Sequence, residues 1–98
     1  MYQKFIITTD GTLLMGNVYL HRELLPRGEY TCHGGGLWKV DELRKCILLY
    51  GRSFDFGVPQ LEYINKIAPY GPATLSYPIF FVRNWGHEEI LEPVWPKI

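Results

Sequence analysis

The sequence has no long hydrophobic run, no basic cluster and few cysteines. No apolar stretch reaches the ~20 residues that a membrane-spanning helix needs, so we expect no membrane span. Ten basic residues balance ten acidic ones, and no more than two basic residues are adjacent. A protein that binds the nucleic-acid backbone usually carries a basic surface, so this charge pattern argues against nucleic acid as a partner.

The two cysteines, Cys32 and Cys46, fall on different predicted strands. Residues 1–4 lead into an alternating segment and do not resemble a signal peptide. We therefore expect reduced thiols, mostly buried, in a cytoplasmic protein. His33 beside Cys32 does not indicate a metal site, because adjacent strand residues point to opposite faces and zinc requires more ligands than the sequence supplies. We expect neither a metal nor a cofactor.

The composition is that of an ordinary globular domain. The chain has 98 residues, of which 47% are hydrophobic and 20% are charged. This length suits a single core, and no repeat or change in composition marks a boundary. The sequence therefore predicts one domain over residues 1–98.

The pair Asp10-Gly11 predicts a β-hairpin, since both residues tolerate the positive φ of a type I′ turn. A two-residue turn there places Lys4 opposite Asn17. Because strand side chains alternate between faces, Lys4 then shares one side of the sheet with His21 at the open end of the hairpin. The register of the turn thus brings a lysine and a histidine onto one face.

Periodicity and turn residues predict an α+β fold with a mostly antiparallel or mixed sheet of about five strands. Pro26 and Gly28 limit the segment after His21 to one helical turn. One main helix is expected over 59–67, where Pro59 suits a first turn and apolar residues have helical spacing. Residues 84–98 are interpreted as a tail. The predicted strands are residues 2–9, 12–20, 29–40, 45–50 and 79–82.

The segment after the fourth predicted strand is a candidate anion site. A strand that leads into a helix start leaves backbone N–H groups without partners, and such groups bind anions. The surrounding sequence resembles the Janus/Ocnus family, whose best-known members are phosphohistidine phosphatases. The resemblance is carried, without a gap, by Gly34-Gly35-Gly36, Lys45, Ile47, Tyr50-Gly51-Arg52-Ser53 and Phe56-Gly57. Lys4-Phe5-Ile6-Ile7 and Tyr19-Leu20-His21 resemble two further family segments.

The resemblance implies a Janus/Ocnus-like domain that hydrolyses phosphohistidine or a related phosphoramidate without a metal. It implies that His21 is the general acid/base and that Lys4 adds positive charge. Histidine suits this role because its ordinary pKa of about 6.5 lets it accept and donate protons near neutrality. The structural alternative for His21 is a polar residue at a strand end that hydrogen-bonds a backbone carbonyl, and Lys4 alone would be a solvated strand lysine.

The resemblance also implies that backbone N–H groups of the loop containing Ser53, Phe54 and Asp55 hold the phosphoryl oxygens. Arg52 is the one basic residue in this loop. Three of these residues have a structural alternative to phosphate binding: Ser53 can bind local backbone, Asp55 can cap a helix and Arg52 can face solvent. The expected partner is a phosphorylated protein or a small phosphorylated ligand.

The chain departs from the family pattern at Leu37, Met15 and Asp55, and Pro26 and Gly28 leave no room for the helix that follows the histidine in the family. Family phosphatases have arginines after the glycine triplet and on the second strand, where this chain has Leu37 and Met15. Asp55 adds a negative charge to the presumed phosphate loop. These differences favour a second hypothesis, a catalytically inactive module of the same fold that binds an anion, a phosphopeptide or a protein. A third hypothesis is a homodimer that pairs sheet edges.

Overall fold

Seven strands form one mixed sheet in the computed structural model, which describes residues 2–68, 76–85 and 88–97. The order across the sheet is β5-β2-β1-β3-β4-β6-β7. Neighbouring strands are antiparallel except for the pairs β2–β5 and β4–β6. The strands are β1 (Tyr2–Ile7), β2 (Thr12–Val18), β3 (Gly35–Asp41), β4 (Cys46–Tyr50), β5 (Lys66–Ile67), β6 (Ile79–Trp85) and β7 (Glu88–Trp95).

The predicted α+β class with a main helix over 59–67 is wrong. The structure is nearly all-β, with 49% strand, and no helix of seven or more residues occurs in the described part. Two short 3-10 turns provide the helical residues: η1 (His21–Leu24) and η2 (Leu61–Tyr63). The sheet curls into a half-barrel and has seven strands instead of about five.

Backbone pairing explains why residues 59–67 do not form a helix. The N–H groups of Asn65 and Ala68 donate to Gly11 and Leu13 of the first hairpin, at 2.9 and 3.0 Å. The Asn65 side chain also donates to the carbonyl of Asp10, at 3.0 Å. Ile64 still reaches the core and is fully buried. The apolar residues at helical spacing therefore reach the core from η2, from Ile64 after it and from the edge strand β5, and tertiary pairing overrode the local pattern.

The first hairpin forms, but its predicted register is wrong by one residue. Lys4 lies opposite Gly16, and Asn17 lies opposite Gln3. The turn closes on Thr8, whose N–H donates to the carbonyl of Thr12 at 2.9 Å.

The turn therefore has three residues, Thr9 to Gly11, with Gly11 at a φ of +86°. The side chain of Asp10 explains this length. Its carboxylate accepts the hydroxyl hydrogens of Thr8 and Thr12 and the N–H of Thr12, which fastens the wider turn.

One face of the sheet carries the main core. Its buried side chains come from six strands and from the segment around η2: Phe5, Ile7, Leu13, Met15, Trp38, Ile47, Leu49, Ile64, Ile79, Phe81 and Val94. In β4, Ile47, Leu48 and Leu49 are each at most 2% exposed, as expected for a strand covered on both faces. Within residues 84–98, interpreted as a tail, the first two residues instead end β6 and Glu88–Trp95 form β7, which places Val94 in this core.

The single helical turn predicted after His21 is confirmed as η1, which packs against β1 and β2. It lies on the sheet face opposite the main core, where a Cβ on Gly16 would lie 2.8 Å from Leu24. Within the described residues, no helix is long and apolar enough to cross a membrane.

Candidate functional site

His21 begins η1 and lies against the backbone of β3. Its side chain is 6% exposed, and its Nε2 atom lies 2.7 Å from the carbonyl oxygen of Gly36. A carbonyl oxygen only accepts hydrogen bonds, so Nε2 carries the hydrogen. The lone pair of the neutral ring is therefore on Nδ1, which is the atom able to take a proton.

The glycine triplet makes room for this ring and for the neighbouring strands. A Cβ on Gly35 would lie 2.4 Å from the carbonyl oxygen of Phe5 and 3.1 Å from Cδ2 of His21. A Cβ on Gly36 would lie 2.5 Å from the carbonyl oxygen of Tyr50. The triplet therefore allows β1, β3 and β4 to approach closely under the histidine.

The pKa of His21 is lowered from its ordinary 6.5, mainly because burial disfavours the charged ring. Lys4 also lowers it, whereas the Gly36 hydrogen bond and Asp55 raise it. His21 is therefore mostly neutral at pH 7. The charges of Lys4 and Asp55 therefore both influence the protonation of the ring.

Lys4 lies on the same sheet face as η1, because it is paired with Gly16 of β2 and Leu37 of β3. Its Nζ atom donates to the carbonyl oxygen of Tyr19 at 2.6 Å. The same ammonium lies 5.6 Å from the ring centroid of Tyr2.

Lys4 and His21 share one face, but strand alternation does not explain it. In the observed register Gly16, and not Asn17, is on the side of Lys4, so an extended continuation of β2 would place His21 on the other side. Instead β2 ends at Val18 and η1 folds over the face of Lys4 and Gly16.

The loop from Ser53 to Gly57 is closed by its own hydrogen bonds. The Ser53 Oγ atom accepts the N–H groups of Asp55 and Phe56 at 3.2 and 3.1 Å. The backbones of Ser53 and Gly57 exchange two further hydrogen bonds, at 3.2 and 2.8 Å. Ser53 is fully buried and Phe54 is fully exposed. The expected helix start after this loop is absent from residues 58–60, which precede η2.

Of the N–H groups expected to hold phosphoryl oxygens, that of Asp55 is therefore bonded to the Ser53 side chain and that of Ser53 to the carbonyl oxygen of Gly57. Asp55 is exposed and makes no ion pair within 4.0 Å among the described residues. Its carboxylate does not cap a helix. Arg52 is exposed at the start of the loop, in keeping with the solvent-facing alternative.

The two positions that lack the family's arginines lie on opposite faces. Leu37 is opposite Lys4 and half-buried, so it shares the face of His21. Met15 is opposite Phe5 and belongs to the main core. A side chain at position 37 can therefore reach the candidate site, whereas one at position 15 points away from it.

A cavity of about 280 Å³ adjoins the loop and η1. Most of this cavity was not predictable from the sequence, because its residues come from separate segments without regular spacing. Pro26 and Gly28 signalled only that the chain turns there. The cavity is lined by Arg22, Leu25, Tyr30, Asp55 and Phe56.

Among the described residues, no group of three or more His, Cys, Asp or Glu side chains could hold a metal ion. Cys32 and Cys46 are both unpaired thiols, and burial raises the pKa of each. His33 stacks on Tyr63, with ring centroids 4.1 Å apart, and so has a structural role. No protein-family model, curated protein or solved structure matches the chain.

Proposed function

We propose that the chain is a cytoplasmic, metal-independent phosphatase that acts on phosphohistidine or a related phosphoramidate, with His21 as the general acid/base. The observation that carries this proposal is the hydrogen bond from His21 Nε2 to Gly36. It holds the ring in one tautomer and leaves Nδ1 as the basic atom. The lowered pKa keeps that atom unprotonated at pH 7.

Lys4 supports the same chemistry through its charge. Phosphoryl transfer depends mainly on positioning and on stabilisation of negative charge. The ammonium of Lys4 is on the face of His21 and is held by the carbonyl of Tyr19. In the proposed step, a water oxygen attacks phosphorus while His21 Nδ1 takes a proton from that water. The P–N bond breaks and its electron pair remains on the leaving nitrogen base, which is already protonated and departs as a neutral base. His21 then releases the acquired proton to solvent together with the product phosphate.

A second candidate function is an inactive binding module for a phosphorylated protein or a small phosphorylated ligand. Ser53 favours this alternative because its Oγ atom already occupies the N–H groups of Asp55 and Phe56. Leu37 favours it as well, since it places an apolar side chain opposite Lys4. Both features reduce the positive potential available to a phosphoryl transition state.

The decisive experiment is hydrolysis of N-phosphorylated histidine, followed by 31P NMR, with wild type and His21→Gln. Glutamine keeps an N–H donor for Gly36 but has no basic atom, so turnover should fall about 100-fold or more. His33→Gln is the matched control and should retain wild-type turnover. Circular dichroism checks that each variant is folded.

Undiminished turnover in His21→Gln would exclude His21 as the acid/base. No turnover in wild type, combined with backbone amide shifts around Lys4 on titration with inorganic phosphate, would support the inactive module. No turnover and no shift at millimolar phosphate would exclude both functions.

A further inference from the structure

The cavity beside η1 contains two unpaired charges of opposite sign. Arg22 and Asp55 both line it, and neither makes an ion pair within 4.0 Å among the described residues. Arg22 directly follows His21 in η1, so the cavity adjoins the candidate site. A group bound in this cavity would therefore lie next to the proposed point of P–N cleavage.

The negative charge of Asp55 is unfavourable for a phosphate alone. A carboxylate several Å from a phosphoryl dianion repels it, and this repulsion disfavours ligands whose only charge is negative. A phosphoramidate protonated on nitrogen is different, because it carries a cation directly beside the phosphoryl group. Such a ligand carries a positive and a negative charge, which complement the charges of Asp55 and Arg22.

The other three lining residues suit a cationic nitrogen base. Tyr30 and Phe56 offer aromatic rings and Leu25 adds an apolar surface. Aromatic faces attract imidazolium, guanidinium and ammonium groups through the ring quadrupole. Tyr30 is 90% exposed, so its ring is open to an incoming ligand.

We propose that this cavity is the leaving-group subsite for a protonated N-phosphorylated side chain, and that Asp55 is its specificity-determining residue. Asp55 pairs with the cationic nitrogen base, while Arg22 faces the phosphoryl oxygens together with Lys4. The cavity thereby selects N-phosphates over phosphate monoesters. The effect of this subsite on catalysis rests on the proposed phosphatase function. Binding of a cationic nitrogen base in the cavity does not rest on that function.

The test compares kcat/KM for N-phosphorylated histidine and for p-nitrophenyl phosphate in wild type and Asp55→Asn. Asparagine keeps the shape of Asp55 and removes its charge. The variant should lose about tenfold on the N-phosphate, the effect of one close charge pair near a surface, and should be unchanged or faster on the monoester. Arg22→Gln should slow both substrates, and Glu62→Gln, an exposed carboxylate outside this cavity, should slow neither.

Equal changes in kcat/KM for both substrates in Asp55→Asn would contradict the assignment of this cavity as the leaving-group subsite. If wild type hydrolyses neither substrate, the phosphatase proposal fails and the subsite is tested by binding alone. Imidazolium chloride is then titrated while the amide signals of Leu25, Tyr30 and Phe56 are followed by NMR. Shifts in wild type that are lost in Asp55→Asn support the subsite, and the absence of shifts in wild type overturns it.

Discussion

The Nε2 atom of His21 lies 2.7 Å from the carbonyl oxygen of Gly36, which joins the first residue of η1 to the backbone of β3. This contact links the glycine triplet to the candidate chemistry. The triplet allows three strands to pack closely, and the same absence of side chains leaves a carbonyl exposed to the ring. One local arrangement therefore sets both the position of His21 and the nitrogen that carries its hydrogen.

Stability should fall as the pH drops below about 6.5, because the pKa of His21 is lower in the folded protein than in the unfolded chain. Between the two pKa values the unfolded chain binds more protons, so acid favours unfolding. His21→Gln removes this contribution, so the stability of the variant should depend less steeply on pH. The measurement is urea unfolding of both proteins at about pH 7.5 and about pH 5.5. The same loss of stability in both proteins would contradict the assignment.

Replacing Gly35 or Gly36 by alanine should destabilise the fold strongly. The new Cβ would lie 2.4 Å from the carbonyl of Phe5 or 2.5 Å from that of Tyr50, and strand backbone cannot move away easily. We expect a loss of about 1–3 kcal/mol for each variant, by the overpacking rule.

Gly16→Ala is the matched control for these variants. Its Cβ would meet only the end of the Leu24 side chain, at 2.8 Å, which can rotate away. Denaturant unfolding should therefore show a clearly smaller loss. An equal loss of stability in all three variants would mean that close backbone packing is not the reason why glycine is required at positions 35 and 36.

The sheet was predictable from the sequence wherever two strands are joined by a short turn. Alternation and turn residues identified β1 with β2 and β3 with β4. The pairing of residues 66–67 with β2 was not predictable, because it joins segments more than 50 residues apart. Such a pairing leaves no local pattern, and the apolar spacing of Leu61, Ile64 and Ile67 is shared by helices and by irregular segments that reach a core.

The candidate site was predictable in part. Lys4 and His21 share a face as predicted, but the alternation behind that prediction fails in the observed register, and the bend of the chain between β2 and η1 brings His21 there instead. The sequence does not show whether the N–H groups of the loop are free, since the Ser53 hydroxyl can point inward and accept them or point outward and leave them free. The fully buried side chain of Ser53 decides this, and burial depends on packing that the sequence does not display.

Ser53→Ala should loosen the loop and cost about 1–3 kcal/mol, because the N–H groups of Asp55 and Phe56 lose their shared acceptor. Hydrogen exchange of these two amides should become faster than in wild type. The exposed Thr9 provides a control, since Thr9→Ala should leave both amides unchanged. Unaltered exchange in Ser53→Ala would show that the hydroxyl does not close the loop.

Leu37→Arg should strengthen phosphate binding at the candidate site. Leu37 is opposite Lys4 on the face that carries His21, so an arginine there adds a second cation near the expected phosphoryl position. We expect about five- to tenfold tighter binding of inorganic phosphate, measured by NMR titration at low ionic strength, and a loss of this gain in high salt. Leu43→Arg is the matched control, since Leu43 is 98% exposed in the turn between β3 and β4. Equal affinities in the two variants would place the anion site away from Lys4.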